Sequence, residues 1–463
     1  MKKIASSVLA VGLLGGANLF GAEDLSAMFS EGQASGQIRM FYVDREYQGG
    51  SGADTHRNSL ALGGNLKYTL DAWNGLSAAA ALYTTNAIHT FDLKVMDPSL
   101  LGTGYENYAI VGEAYINYDM SALGTKTVAK LGYQRYDTPM MGGDDARMLP
   151  TTFEAYKLTN SDIENVEFQV AQVQAVAYGS FYNAYHPYAG GMLPVTSGYT
   201  TEGDVVAGKY YNMGKAAVGK NTGGVTNAMV SFKNKNFNAK LSNDYAWDLY
   251  NTLYAEVGAT WDCLLNANVH PFVAVQAIKQ DSVGSEYLSN VSVAKDINGT
   301  PVYGEGKVDS FYWAAKVGAS YAGLTAYAAY SETTANDAGD DAYKHAIISQ
   351  FGGMPAYTQG MVTRHQFFAG TKAWKAAASY NFKSLGTNLS TAVFYASFDM
   401  DAESGYGVER TASESGFDIQ YYPEAVKNLQ LRLRGNFPRK FAEATAGSDT
   451  GWNEYRFIVN YNF

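Results

Sequence analysis

The chain has little of the surface charge that a water-soluble protein of its length needs. Only 17% of its 463 residues are Asp, Glu, Lys or Arg, against about 25% in an ordinary soluble domain. Its one cysteine, Cys263, permits no internal disulfide. After the N-terminus, no run of about 20 apolar residues occurs, and the mean hydropathy is −0.21. These shortages argue against several soluble domains and exclude a bundle of transmembrane helices.

What the chain does have is strand-forming and aromatic residues. Phe, Trp and Tyr make up 14% of the sequence, and glycine occurs 48 times against 10 prolines. A closed transmembrane β-barrel fits this composition, because its strands alternate apolar and polar residues and so average to a neutral hydropathy. The formal net charge of −10 excludes a nucleic-acid partner.

The first residues indicate export. Two lysines precede the apolar stretch 4–14, and small residues follow it, which is the pattern of a secretory signal peptide. We place the cleavage after Ala22, while cleavage after Ala17 stays open because it fits the small-residue rule better. The sequence therefore predicts a signal peptide over 1–22 and one transmembrane barrel domain over 23–463.

The C-terminus shows the clearest strand. Over 454–463 every second residue is apolar or aromatic and suits lipid, while Glu454, Arg456 and Asn460 on the other face suit water. Tyr461 and Phe463 lie where an aromatic girdle is expected. A last strand ending in Phe resembles the assembly signal of outer-membrane barrels, and it implies the barrel assembly machinery and outer-membrane lipid as partners.

The same alternation recurs along the chain in segments of about 9 to 13 residues, the length of a tilted membrane strand. Starting near 36–46 and ending at 453–463, we expect an all-β antiparallel barrel of 18 strands. Alternation is poor at 152–158, 165–178 and 268–279, so 16 strands stay open. Short turns are expected at 71–75, 234–236, 322–323, 383–386 and 423–427, and long outside loops at 86–107, 179–224, 280–307, 333–365 and 438–452.

Basic residues gather on strands that become neighbours if the barrel closes. Their alternation directs them to the lumen on the last two and first two strands: Arg39, Arg45, Lys67, Arg432, Arg434 and Arg456. Such a wall could guide anions, although lumen charges often serve only to solvate the wall and balance neighbouring acids. The orientation of the first strand stays open, because the apolar Phe41 and Val43 share the face of its arginines.

The segment 137–154 is rich in glycine and proline and carries Asp144, Asp145 and Arg147. Folded inward, it would set acids against the basic wall and narrow the pore. A cap on the outside of the barrel is the alternative, and the residues do not choose between the two.

Three segments resemble the OprD-like family of outer-membrane substrate-specific porins. The opening strand 38–47 is similar to the family's first strand, the loop 138–154 matches its pattern around Pro150 and Phe153, and 414–434 resembles its late strands. The resemblance implies an 18-stranded barrel, monomeric or sometimes a homotrimer, with an inward-folded third loop and a basic ladder for carboxylate-bearing solutes. On matching positions the ladder carries over to Arg39, Arg45, Arg432 and Arg434. Met40 for Asn, Ala155 for Gly and two unmatched long loops depart from the pattern.

Other functions find less support. Six scattered histidines and the absence of HExxH and GxSxG motifs argue against an enzyme, so we expect no catalytic residues. The acidic stretches 336–341 and 399–405 do not fit the EF-hand rule, and no metal or cofactor is expected. A siderophore transporter would need a plug domain and about 22 strands. The sequence thus favours a passive outer-membrane channel for small anionic or zwitterionic carboxylates, with a general porin and an adhesin or structural barrel as alternatives.

Overall fold

The computed structural model of the chain describes residues 22–48, 56–88, 95–143, 147–181, 205–290, 292–295, 301–341, 343–403, 409–445 and 448–463. The signal peptide predicted over 1–22 lies outside the described residues except for Ala22.

Eighteen strands form one closed antiparallel barrel. They are β1 Gln33–Gln48, β2 His56–Thr69, β3 Leu76–Ala87, β4 Tyr108–Asp119, β5 Thr127–Gln134, β6 Thr152–Asn160, β7 Val166–Ala177, β8 Val225–Lys233, β9 Phe237–Ala246, β10 Tyr250–Thr260, β11 Val269–Ser282, β12 Asp309–Tyr321, β13 Leu324–Thr333, β14 Lys372–Asn381, β15 Leu389–Met400, β16 Arg410–Tyr421, β17 Leu429–Arg439 and β18 Ser448–Asn462. Each strand pairs with its neighbours in sequence, and β18 pairs with β1 from Gln37↔Asn462 to Gln48↔Gly451. The prediction of 18 strands is confirmed.

The three strands that the sequence marked weakly are present as β6, β7 and β11. Their alternation is poor because several inward residues are apolar. Phe153 and Ala155 on β6 and Val173 on β7 are buried in one apolar cluster with residues of the connections, among them Phe181 and Val205. Because these residues cover the inner face of the strands, that face need not carry the polar side chains that contact with open water would require.

The two faces of the strands follow the predicted alternation. Leu62 and Leu66 on β2 and Leu241 on β9 are exposed on the outer face, while Ser242 is buried on the inner face. On β1 the exposed Ile38 alternates with buried Arg39, Phe41, Val43 and Arg45, which settles the orientation that the sequence left open.

Short connections join the strands at one end of the barrel, where β1 also begins and β18 ends. Ala322 and Gly323 form a two-residue turn with φ of 49° and 90°, which is the backbone that a tight hairpin requires and glycine adopts readily. At the same end, Gly36 and Phe463 exchange backbone hydrogen bonds of 2.9 and 3.1 Å. At the other end the last connection, 440–447, is shorter than the predicted 438–452, because β17 and β18 both extend into it.

The remaining elements are short and lie in the connections. Among the described residues, two α-helices span Leu25–Ser30 and Met213–Val218, and small strands span Tyr211–Asn212, Ser292–Lys295, Pro301–Tyr303 and Ala442–Thr445. Single 3-10 turns span Pro98–Leu100, Thr103–Tyr105, Ser121–Leu123, Tyr287–Asn290, His365–Phe367 and Phe382–Leu385. Within the described part of the chain, no helix is long and apolar enough to cross a membrane.

Candidate functional site

Barrel closure brings the predicted arginines of β17, β18 and β1 into one sector of the wall. In the strand register Arg434 faces Arg456, and Arg432 lies two residues nearer the short-turn end. On the other side of β18, Arg45 faces Glu454 and Arg39 faces Asn460. The clustering predicted from alternation is therefore present, with Arg434 and Arg456 at the same height.

Two of these guanidinium groups and that of Arg147, from the loop between β5 and β6, surround one carboxylate, and we call this group the Glu454 cluster. Arg45 donates from Nε to Glu454 at 2.6 Å, Arg147 donates from Nη2 at 2.9 Å, and Arg456 donates from Nε. Asp97 is a second acid, 3.2 Å from Arg45. The side chains of Glu454 and Arg147 are fully buried, so their charges interact in a medium of low dielectric constant, where the attraction is strong.

Arg39 fixes the segment around Arg147 to the wall. Its Nη1 donates to the carbonyl oxygen of Arg147 at 2.7 Å, and its Nε donates to Asn460 at 2.8 Å. Met148 and Leu149 follow directly and are buried in one apolar cluster with Phe41. This covering explains why β1 carries apolar residues on its inner face.

Arg432 and Arg434, which we call the arginine pair, are more open. Both contact Asp418 on β16: Arg432 Nε donates to it at 2.8 Å, and Arg434 Nε lies 3.4 Å from its Oδ2. Their side chains are 25% and 17% exposed, against 0% for Arg147. The arginine pair is therefore less buried than the Glu454 cluster.

Lys67 lies apart from the arginines. Its Nζ is 2.9 Å from Glu113 on β4, which also accepts from the Tyr83 hydroxyl at 2.7 Å. Its side chain is partly exposed and lies over the ring of Tyr115. The structure therefore places Lys67 in a separate ion pair rather than in contact with the arginine pair.

The third loop, 135–151, contains most of the segment 137–154, whose residues leave open an inward fold that narrows the pore or a cap on the outside. Asp144 and Asp145 lie outside the described residues. Of the described part, Gly142 donates to the Phe351 carbonyl at 3.0 Å, so this loop contacts the connection between β13 and β14. Met140 is buried in an apolar cluster with Tyr254 and Ile278 of β10 and β11. The described ends of the loop thus contact two different sectors of the wall.

The seventh loop, 334–371, provides contacts that the sequence did not predict. Glu414 on β16 accepts backbone N–H groups of Met361, Val362 and Thr363 at 3.0, 3.2 and 2.8 Å. Alternation would have placed Glu414 on the inner face beside Asp418, but the partners of a carboxylate that binds a loop backbone have no sequence signal. This bond holds the middle of the loop to the inner wall.

His365 in the same loop is buried among aromatic rings. Its Nε2 lies 2.8 Å from the carbonyl oxygen of Phe441, and the rings of Phe368, Phe398 and Phe441 surround it. Burial, together with the charge of Arg410, lowers the pKa of His365 to about 4, and the hydrogen bond to Phe441 opposes this shift. The imidazole is therefore neutral at pH 7.

We expect acid to loosen this part of the seventh loop. A released loop carries a histidine of ordinary pKa, about 6.5, so it binds more protons than the packed loop between pH 6.5 and 4. The packed state accordingly loses stability as pH falls through this range, by roughly 3 kcal/mol in total, and the loss is complete below pH 4. Single-channel recordings should show more frequent current fluctuations toward pH 4. His365→Phe keeps the aromatic packing and should remove this dependence, and an identical pH profile in the variant would refute the role of His365.

Among the described residues, no group of three or more His, Cys, Asp or Glu side chains is arranged to hold a metal ion.

Comparison with known families decides what kind of barrel this is. The family model for outer membrane porins of the OprD family matches residues 114–463. The chain belongs to the OprD family. Membership confirms the resemblance seen in the loop 138–154 and in 414–434, whereas the similar opening strand 38–47 lies ahead of the matched residues. As an OprD-family porin, the protein is a passive channel in the outer membrane of a Gram-negative bacterium.

Solved structures support the same fold. The Pseudomonas aeruginosa porin OccK9 (OpdG) superimposes with a TM-score of 0.71 at 16% identity, covering 94% of this chain and 99% of that one. A BenF-like porin from Pseudomonas fluorescens gives 0.69 at 15% identity, and Pseudomonas aeruginosa OpdK with vanillate gives 0.68 at 15%, both with the same coverages. A comparison with curated protein sequences gave no match.

Proposed function

We propose that this OprD-family porin favours small carboxylate-bearing solutes, which pass along the arginine pair. The observation that carries the proposal is the partial exposure of Arg432 and Arg434, whereas the neighbouring Arg39, Arg45, Arg147 and Arg456 are buried. A guanidinium fork matches the geometry of a carboxylate and replaces part of its water shell. Weak binding at several points allows a solute to enter and leave without any input of energy.

The electrostatic balance of the sector supports an anionic solute. Six guanidinium groups, of Arg39, Arg45, Arg147, Arg432, Arg434 and Arg456, lie near three carboxylates, of Asp97, Asp418 and Glu454. The excess is positive, so the potential on this side of the lumen attracts anions. The buried Arg45, Arg147 and Arg456 contribute to this potential at a distance, and the arginine pair makes the direct contact.

We also propose that the third loop folds into the lumen and narrows the pore opposite the arginine pair. The contacts of Met148 with the β1 side and of Met140 with the β10–β12 side support this. Asp144 and Asp145 would then act as acids across the pore. The signal peptide over 1–22, the assembly role of Tyr461 and Phe463, and a homotrimer remain proposals of the same kind, as does the lack of any enzymatic activity.

The ligand of one structural neighbour is consistent with a preference for carboxylates. The solved structure of OpdK, 15% identical to this chain, was obtained with vanillate, a carboxylate. By analogy we propose carboxylates as the solute class here.

The test compares charged and uncharged solutes on the unmodified channel. Planar bilayers with a salt gradient give the reversal potential, and liposome swelling gives the relative permeation of a carboxylate and an uncharged solute of matched size. We expect a reversal potential on the anion side and faster swelling with the carboxylate. Equal swelling rates with a reversal potential near zero would leave a general porin, and a barrel without conductance would leave an adhesin or structural role.

A further inference from the structure

A second cationic site lies on a different part of the inner wall. A cavity of about 310 Å³ opens between β12–β14 and the seventh loop, and we call it the lysine niche. The residues that define it are Lys316, Tyr327, Met354, Tyr357, Gln359 and Lys375. Its volume is at the low end of the range for small-molecule sites, about 300 to 1,000 Å³, so it suits a small solute.

The strand register fixes the spacing of the two lysines. Lys316 on β12 and Lys375 on β14 both pair with Ala329 of the strand between them. They therefore lie at one height on the inner face, with their Cα atoms two strand spacings apart, about 10 Å. Flexible side chains that start from points this far apart can each hold one end of a short molecule.

Neither ammonium group is neutralised by a direct ion pair. Among the described residues, no carboxylate lies within 4.0 Å of the Nζ atom of Lys316 or Lys375. Lys316 lies over the Tyr357 ring at 4.2 Å, and Lys375 donates to the Gln359 carbonyl at 2.6 Å. In the Glu454 cluster and the arginine pair, by contrast, carboxylates contact the guanidinium groups directly.

Two acids act on the niche from a distance, and both have other partners. Glu256 interacts electrostatically with Lys316, but its Oε2 accepts from the Tyr254 hydroxyl at 2.9 Å. Glu414 interacts with Lys375, but its oxygens accept the three backbone N–H groups of the seventh loop. Hydrogen-bond donors on the lysines thus remain available to a solute.

The roof of the niche is held in place by three strands. Gln276 on β11 accepts from the Tyr357 N–H and donates to the Pro355 carbonyl, both at 2.8 Å. Ser331 on β13 bonds to Thr358 at 2.7 Å. On β16, Glu414 holds the residues that follow. Because the segment 355–363 of the seventh loop is hydrogen-bonded at each of these points, it forms a fixed wall of the niche.

We propose that the lysine niche binds a short dicarboxylate, with Lys316 holding one carboxylate and Lys375 the other. This inference rests on the proposed function and makes it narrower, since the niche would retain solutes with two carboxylates longer than those with one. Charge-assisted hydrogen bonds at both ends give the preference, because a monocarboxylate can use only one of them at a time.

The experiment records single-channel currents with succinate or butyrate added. The unmodified channel should show resolved current interruptions with succinate and much briefer ones with butyrate. Lys316→Met with Lys375→Met should shorten the succinate interruptions at least about tenfold, since two charge-assisted hydrogen bonds are lost. Lys235→Met with Lys383→Met removes two lysines from the short-turn end and should leave the interruptions unchanged.

Lys316→Arg with Lys375→Arg keeps both charges and should keep the succinate interruptions, which shows that the Met variant fails for lack of charge and not of fold. Unaltered succinate interruptions in the Met variant, or none in the unmodified channel, would overturn the niche as a dicarboxylate site. A different result would contradict the proposed function: equal permeation of a carboxylate and an uncharged solute through the unmodified channel.

Discussion

Replacing Arg432 and Arg434 together by alanine will shift the ion preference of the channel toward cations and lower carboxylate permeation. The change removes the exposed guanidinium groups of the arginine sector and leaves Asp418 without the two partners that it contacts. Asp418 then lies without these two partners, and the local potential becomes much less positive. Reversal potentials in a salt gradient and liposome swelling with a carboxylate measure the two effects.

Two matched variants separate charge from geometry. Arg432→Lys with Arg434→Lys keeps both charges but loses the fork, so it should keep the ion preference and lose part of the discrimination between carboxylate and uncharged solutes. Asp418→Asn should act in the opposite direction and increase the preference for anions. An alanine variant with the reversal potential and permeation of the unmodified channel would reduce the arginine pair to residues that merely solvate the wall.

Glu454→Gln should destabilise the barrel strongly and loosen the third loop. The carboxylate is fully buried and accepts from Arg45, Arg147 and Arg456. A neutral amide leaves these buried guanidinium groups with Asp97 as the nearby acid, and breaking a buried ion pair on one side typically costs about 3–5 kcal/mol. Unfolding in urea, followed by the electrophoretic mobility of the folded barrel, should show a lower midpoint. Because Arg147 is held by the same carboxylate, the open-channel current should also become noisier.

The matched control is Glu424→Gln, which removes one exposed carboxylate from the connection between β16 and β17. It should leave both the midpoint and the current unaltered. If Glu454→Gln unfolds at the urea concentration of the unmodified protein, the Glu454 cluster contributes no net stability. Its charges would then affect only the electrostatic potential in the lumen.

Much of the barrel could be predicted from local sequence, because the period of two is a property of each strand by itself. Alternation predicted that Arg432, Arg434 and Arg456 lie on the inner face. An even number of strands predicted that the closed barrel pairs β18 with β1 in antiparallel orientation. Where alternation was weak, as at Phe153 and Val173, the inner face is apolar because loops cover it. The sequence contains no local sign of that covering.

The partners of the arginines could not be predicted in the same way. Arg147 and Glu454 lie 307 residues apart and meet only because a loop between β5 and β6 contacts a strand at the other end of the chain. Asp97 reaches Arg45 from another loop. Such contacts depend on how loops pack inside the barrel, which the pattern of one segment does not encode. The sequence therefore located the cations but not which of them are buried in ion pairs.

The pairing of β18 with β1 also determines the order in which the molecule can be completed. Arg39 and Asn460 are 421 residues apart in sequence, so their bond belongs to the contacts that form slowly, after a very long loop has closed. Arg45 and Arg147 cannot contact Glu454 until β18, which carries both Glu454 and Arg456, has paired with β1, and until then their charges stay hydrated. Pairing of β18 with β1 closes the barrel and therefore also removes water from the Glu454 cluster. A chain that lacks β18 would expose an unpaired strand edge with hydrated, strongly charged side chains.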